Sequence, residues 1–193
     1  MKKLLTLSLI LLISSSVLSQ ILPGTLDVTG MPTFIQSFDE VVKEAGLDDT
    51  TVGFESEFDA NLVGFVLNPQ LLLGSDLVCE ANVFRYSVFI HTQNAPANFI
   101  LEARTSLNSG QRFPQVSTYD NLPLQPLGPR DLTPENGGNY IPVPNDGSQA
   151  IKIFEFIGCR TDIPVQFRIK GSALVPAGNS NFQIVYTVVG SLM

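Results

Sequence analysis

Along most of the chain, apolar and polar residues alternate with a period of two, the pattern of strands that turn one face to a core. In 181–189, NFQIVYTVV, one face collects Phe182, Ile184, Tyr186 and Val188. In 163–171 Val165, Phe167 and Ile169 alternate with Gln166, Arg168 and Lys170, as expected of an antiparallel strand with one wet face. Segment 82–92 puts Phe84, Tyr86, Val88 and Ile90 on one side, with Arg85, Ser87, Phe89 and His91 on the other. Segment 97–105 reads as Ala97, Phe99, Leu101 and Ala103 inward, with Glu102 and Arg104 outward. Segment 150–157 is apolar on both faces and predicts a central strand, and a short first strand is expected at 25–29. Segments 51–58 and 61–67 are expected to pair around Asp59-Ala60-Asn61. Seven to nine short strands of this kind predict an all-β, antiparallel sandwich or barrel.

Two stretches depart from the alternation. Residues 34–47, FIQSFDEVVKEAGL, carry both a helical spacing and an extended one; the surrounding strands and the Val41-Val42 pair favour the extended reading. Residues 106–149 hold seven prolines and five glycines and cannot be central sheet, because proline donates no ladder hydrogen bond. This long Pro-rich loop is either a binding loop or structural cover pinned by its own aromatic side chains. Phe113, Tyr119 and Tyr140 are its candidate binding residues, since large amphipathic rings dominate binding hot spots.

Composition narrows the compartment. Residues 1–19, MKKLLTLSLILLISSSVLS, have a basic start, an apolar run from Leu4 to Ile13 and a small-residue cleavage site, the pattern of a secretory signal peptide. The expected mature chain is a single domain over 20–193, with no further segment long enough to span a bilayer. Export makes Cys79 and Cys159 a disulfide pair in preference to two separate buried thiols. Removing Lys2 and Lys3 leaves 9 bases against 18 acids, a formal charge of −9, so no basic stripe for nucleic acid is expected.

Charge is also uneven. Residues 20–81 hold eleven acids and the one base Lys43, whereas 82–193 hold seven acids and eight bases. Asp48, Asp49, Glu55, Glu57 and Asp59 are the candidate calcium ligands of this acidic stretch, although their spacing is not that of an EF-hand loop and a solvated acidic face that aids solubility is the preferred reading. No other cofactor is expected. The single histidine, His91, is read as an ordinary strand residue, because no nucleophile motif accompanies it.

The stretch GCRTDIPVQFRIKGSALVPAGNSNFQIVYTVVG, a strand, a small-residue loop and a terminal Tyr-Thr-Val strand, resembles the closing hairpin of secreted bacterial immunoglobulin-like or pilin-like sandwiches. KEAGLDD followed by FESEF is similar to segments of small exported β-proteins. The fragments cover about a third of the mature chain, and the resemblance implies an immunoglobulin-like β-sandwich and no particular activity. The chain departs from antibody-type domains in having no Trp to pack on the disulfide. The expected function is an exported, non-enzymatic structural or adhesive binding module, periplasmic, on the cell surface or secreted, with a protein or surface glycan as partner. The alternative is a carbohydrate-binding or polysaccharide-associated module that uses Tyr119 and Tyr140.

Overall fold

The computed structural model describes residues 22–34, 53–97, 99–171 and 178–191. Residues 1–21, the 35–52 stretch with Asp48 and Asp49, and residues 172–177 lie outside them. Eleven strands are described: β1 (Gly24–Thr29), β2 (Phe54–Glu55), β3 (Asn61–Leu67), β4 (Arg85–Gln93), β5 (Phe99–Arg104), β6 (Gln111–Phe113), β7 (Thr133–Pro134), β8 (Ile141–Val143), β9 (Ile151–Ile157), β10 (Cys159–Gly171) and β11 (Gln183–Ser191). One six-residue helix, α1 (Ser75–Glu80), joins β3 to β4. The strands pair antiparallel in two sheets, so the all-β sandwich read from the alternation is the fold. Its immunoglobulin-like character is a matter of resemblance only.

The larger sheet runs β1-β3-β10-β5-β8, with β2 and β6 also on β10. The smaller runs β11-β4-β9-β7. The thirteen-residue β10 organises the larger sheet. Its first half pairs with β3 on one side and β6 on the other; its second half pairs with β2 and β5. Between the halves the register shifts at Arg160–Ile163, where Asp162 has φ 53°, so the strand twists enough to serve different neighbours.

The inward residues are largely those the alternation placed there. Val63, Phe65 and Leu67 of β3, Val165 and Phe167 of β10, Tyr86, Val88 and Ile90 of β4, and Phe154 and Phe156 of β9 are buried in one core. Tyr86 joins the sheets: its ring lies 4.5 Å from that of Phe65 and 5.9 Å from that of Phe156. From the other edge the Tyr186 hydroxyl donates across to Asn61 Oδ1 at 3.2 Å.

Four expectations need correction. β2 pairs with β10, not with β3, because Ser56 takes the place of a second strand contact: its amide donates to the Phe167 carbonyl and its hydroxyl accepts from the Phe167 amide. Glu102 is buried rather than outward, since Arg168 and Lys170 on the neighbouring strand provide the charge that makes its burial tolerable. Phe58, which the alternation of 52–58 would turn inward together with Val52 and Phe54, is half-exposed. Finally, β10 and β11 lie in different sheets, so they form no closing hairpin.

Candidate interaction surface

The Pro-rich stretch 106–149 is ordered cover, tied down by short strands and by its own polar side chains. Arg130, whose side chain is fully buried, donates to Asp120 Oδ2 at 2.8 Å and to the Pro114 carbonyl at 3.0 Å. Asp120 in turn closes a capping box with Ser117 and lies 3.8 Å from Arg112. Burial opposes ionisation of Asp120, but the Ser117 amide and Arg130 outweigh it and hold the carboxyl below its ordinary value. Gly158, at φ +83°, turns the chain from β9 to β10 under this guanidinium; a Cβ there would lie 3.0 Å from Arg130 Nε.

The three candidate binding rings all belong to this scaffolding. Tyr119 is only 1% exposed. Its hydroxyl donates to the Gly128 carbonyl at 2.9 Å and accepts from the Leu127 amide at 3.0 Å, closing the loop on itself. It therefore has no face for a partner. Phe113, on β6, packs against the core. Tyr140 is half-buried, with the guanidiniums of Arg104 and Arg168 over its ring at 4.4 and 4.1 Å. Burial pushes its hydroxyl up to about 12, with Arg104 opposing and Glu55 adding to the effect. Tyr119 thus offers no open ring to stack on a sugar, and the ring of Tyr140 already carries two guanidiniums.

The charged groups around Tyr140 are paired, whereas its own buried hydroxyl has no hydrogen-bond partner. Arg168 Nε donates to Glu102 at 2.6 Å, Lys170 Nζ to the same carboxylate at 3.0 Å, and Arg104 to Gln166 Oε1 at 2.7 Å. Burial opposes the charge on Glu102, but its bonds to Arg168 and Lys170 prevail and hold its carboxyl below the ordinary value. Arg160 is less well served: it is 3% exposed and donates to Asn108 Oδ1, while Nε and Nη1 have no hydrogen-bond partner. Burial and the like charge of Arg112 push it down to about 10, so it stays protonated near neutrality.

Of the candidate calcium ligands, Glu55, Glu57 and Asp59 are exposed around β2 and the start of β3. Glu55 pairs in register with Arg168. Among the described residues no group of three or more His, Cys, Asp or Glu is placed to hold a metal ion. His91 is buried, with Nε2 3.3 Å from Gln93 Nε2 and Nδ1 without a partner. A small open cleft between Arg85, Asp131, Thr133 and Glu155 is crossed by the 3.7 Å Arg85–Glu155 pair.

A different feature stands out. Of the fourteen large apolar residues exposed among the described ones, eight fall in 71–83 and 116–124: Leu71, Leu72, Leu73, Leu77, Val83, Val116, Leu122 and Leu124. Scattered exposed leucines need no explanation, but a concentration of them marks an interaction surface. The two stretches are adjacent. Thr118 Oγ1 donates to Glu80 of α1 at 3.4 Å, and Arg85 Nη2 donates to the Leu127 carbonyl at 2.8 Å. No charged residue occurs in 68–75 or in 121–129.

The leucines sit on a fixed base. Gln70 and Leu73 bond through their backbones in both directions, leaving Leu71 and Leu72 at the tip of a two-residue turn, 105% and 92% exposed. On one side this turn continues β3. On the other it enters α1, whose Cys79 is bridged to Cys159 at the start of β10, with Cα atoms 5.6 Å apart. The Leu67 amide also donates to Cys79 Sγ at 3.3 Å. The expected disulfide is therefore present, and its position gives it a second role as the clamp of the leucine turn. Sequence reasoning missed this surface. Its signal was three leucines without alternation between Pro69 and Gly74-Ser75, turn residues on both sides of an apolar run.

No family model matches the chain, and no curated protein or solved structure is similar to it.

Proposed function

We propose that this protein is an exported, non-enzymatic structural or binding module of the cell surface or extracellular space, and that it meets its partner through the leucine turn and the neighbouring part of the Pro-rich stretch. The observation that carries this reading is the full exposure of Leu71 and Leu72 on a turn held by a disulfide. A solvent-facing apolar tip gains nothing for the isolated fold, whereas a partner covering it recovers the transfer free energy of two leucines. Export is supported by the signal-like sequence 1–19 together with a disulfide of a kind that persists outside reducing compartments.

The test is retention of the mature chain, beginning at Gln20, on a cell-envelope preparation from the producing cell. Wild type is expected to sediment with the envelope. The variant Leu71→Ser/Leu72→Ser/Leu124→Ser is expected to stay in the supernatant while its melting temperature is unchanged. Equal retention of the two proteins overturns the assignment of the surface.

A further inference from the structure

We propose that the outer edge of β11 is a self-association site, at which a second copy of this chain adds its own β11 antiparallel and joins the two smaller sheets into one.

The two sheets end in four strands, β1, β8, β11 and β7. A strand at the end of a sheet presents a row of amides and carbonyls to pairing, and folds that stay single blunt it with proline, charge, a bulge or brevity. β8 has three residues with Pro142 at its centre, β7 has two with Pro134, and β1 carries Asp27. β11 has none of these devices. Its nine residues, QIVYTVVGS, include no proline and no charge, and they pair with β4 from end to end without a shift in register. Among the described residues no strand pairs its other edge. Its inward side chains also lack full cover. Val188 lies in register with the fully buried Val88 yet is itself only half-buried, as is Ile184. A strand added beyond β11 completes that cover.

An extended edge is matched by another extended polypeptide, whose backbone supplies the missing hydrogen bonds. The order of side chains in β11 points to β11 itself as that strand. A two-fold axis through Thr187 sets the strand antiparallel to its copy, as an isologous contact requires. Thr187 then meets Thr187 of the second copy, Tyr186 meets Val188, and Val185 meets Val189. Thr–Thr and aromatic–β-branched pairs are among those that stabilise antiparallel sheets, and no like charges are brought face to face. On the neighbouring β4 the one arginine, Arg85, already lies 3.7 Å from Glu155. The net charge of the chain, −7 over the full sequence, opposes association at long range, so the contact is reversible and strengthens with moderate salt. Gly190 pairs with Tyr86 near the start of β4, where α1 enters. Antiparallel addition therefore puts the two leucine turns at opposite ends of the joined sheet and leaves both open.

The experiment is sedimentation equilibrium of the chain from Gln20 at moderate salt, with Thr187→Lys and Thr187→Glu, each alone and the two mixed. Thr187 is exposed, so both substitutions are expected to keep the far-ultraviolet circular dichroism of wild type. Wild type is expected to dimerise as concentration rises. Each variant alone is expected to associate at least about tenfold more weakly, since like charges then face each other across the axis with Cβ atoms about 5 Å apart. The equimolar mixture is expected to regain the dimer, because a lysine then faces a glutamate. Hydrogen exchange gives a reading without substitution: β11 amides of wild type gain protection as concentration rises, and those of β1 do not. Monomeric wild type, variants that dimerise as wild type does, or a mixture as weak as its components overturn the proposal. So does β11 protection that is equal at every concentration, which assigns the edge to an occupant within the same chain. Leu71→Ser/Leu72→Ser is expected to dimerise as wild type does; loss of the dimer in that variant moves the contact to the leucine turn and overturns the edge assignment.

Discussion

Leu67 and Leu71 are four residues apart and stand at opposite limits of exposure, 1% against 105%. The same side chain, with the same transfer free energy, closes the core in one case and meets water in the other. Leu67 ends β3, where the pleat sends every second residue between the sheets. Leu71 belongs to a turn whose two backbone hydrogen bonds fix both tip side chains outward. What buries a leucine is its place in a register; hydrophobicity sets only what burial is worth. The interior and the leucine turn should therefore answer substitution in opposite ways, the first in stability and the second in binding.

The sharpest break is expected inside the Pro-rich stretch. Tyr119→Ala removes a buried ring and orphans the Leu127 amide and the Gly128 carbonyl. A loss of roughly 3–5 kcal/mol is expected in chemical denaturation. A loss below about 1 kcal/mol would mean that this ring is surface-facing after all.

Next comes the bond that joins the two regions. The Cys79–Cys159 bridge spans 80 residues, and its reduction is expected to cost roughly 2–5 kcal/mol. Because the same bond clamps α1, amide exchange should quicken first in 68–80 and last in β4 and β9. Uniform exchange across the sandwich would separate the disulfide from the leucine turn.

A smaller effect is expected from acid. Glu102 and Asp120 ionise more readily in the fold than in the unfolded chain, where ordinary values are 4.5 and 3.8. Their contribution is thus complete above those values and is lost as pH falls through the lower values of the folded state. Thermal melting from pH 6 down to about pH 2 should show stability falling in acid, and Glu102→Gln should flatten the curve. An unaltered curve for that variant would show that its ion pairs with Arg168 and Lys170 are energetically silent.

The least effect on stability belongs to the leucine turn. Leu71→Ser/Leu72→Ser should leave the melting temperature within the range of ordinary surface changes, about 0.5 kcal/mol either way. A marked destabilisation would place these side chains in a contact within the fold and remove the contrast with Leu67.

The alternation of Val165, Phe167 and Ile169, or of Tyr86, Val88 and Ile90, was enough to identify strands and their inner faces, because period-two burial is a local consequence of the pleat. The cysteine pair was legible for a related reason: only two cysteines exist, and the signal-like start of the chain predicts a compartment that permits one bridge. Pairing was decided elsewhere. Whether β2 joins β3 or β10, and whether β10 and β11 share a sheet, depends on contacts between residues far apart in the chain, which no local pattern encodes. The fate of Glu102 depended on Arg168 and Lys170 arriving 66 and 68 residues later. The candidate surface shows the same division. Residue type singled out Tyr119 and Tyr140, but an aromatic ring serves a core, a cation or a partner equally well, and tertiary packing gave these two to Gly128 and to Arg104 with Arg168. Leu71 and Leu72 read as ordinary apolar residues until the turn between β3 and the disulfide-bound helix held them in water. The sequence alone determined which residues repel water; only the tertiary structure decided which of them found cover, because cover comes from residues distant along the chain.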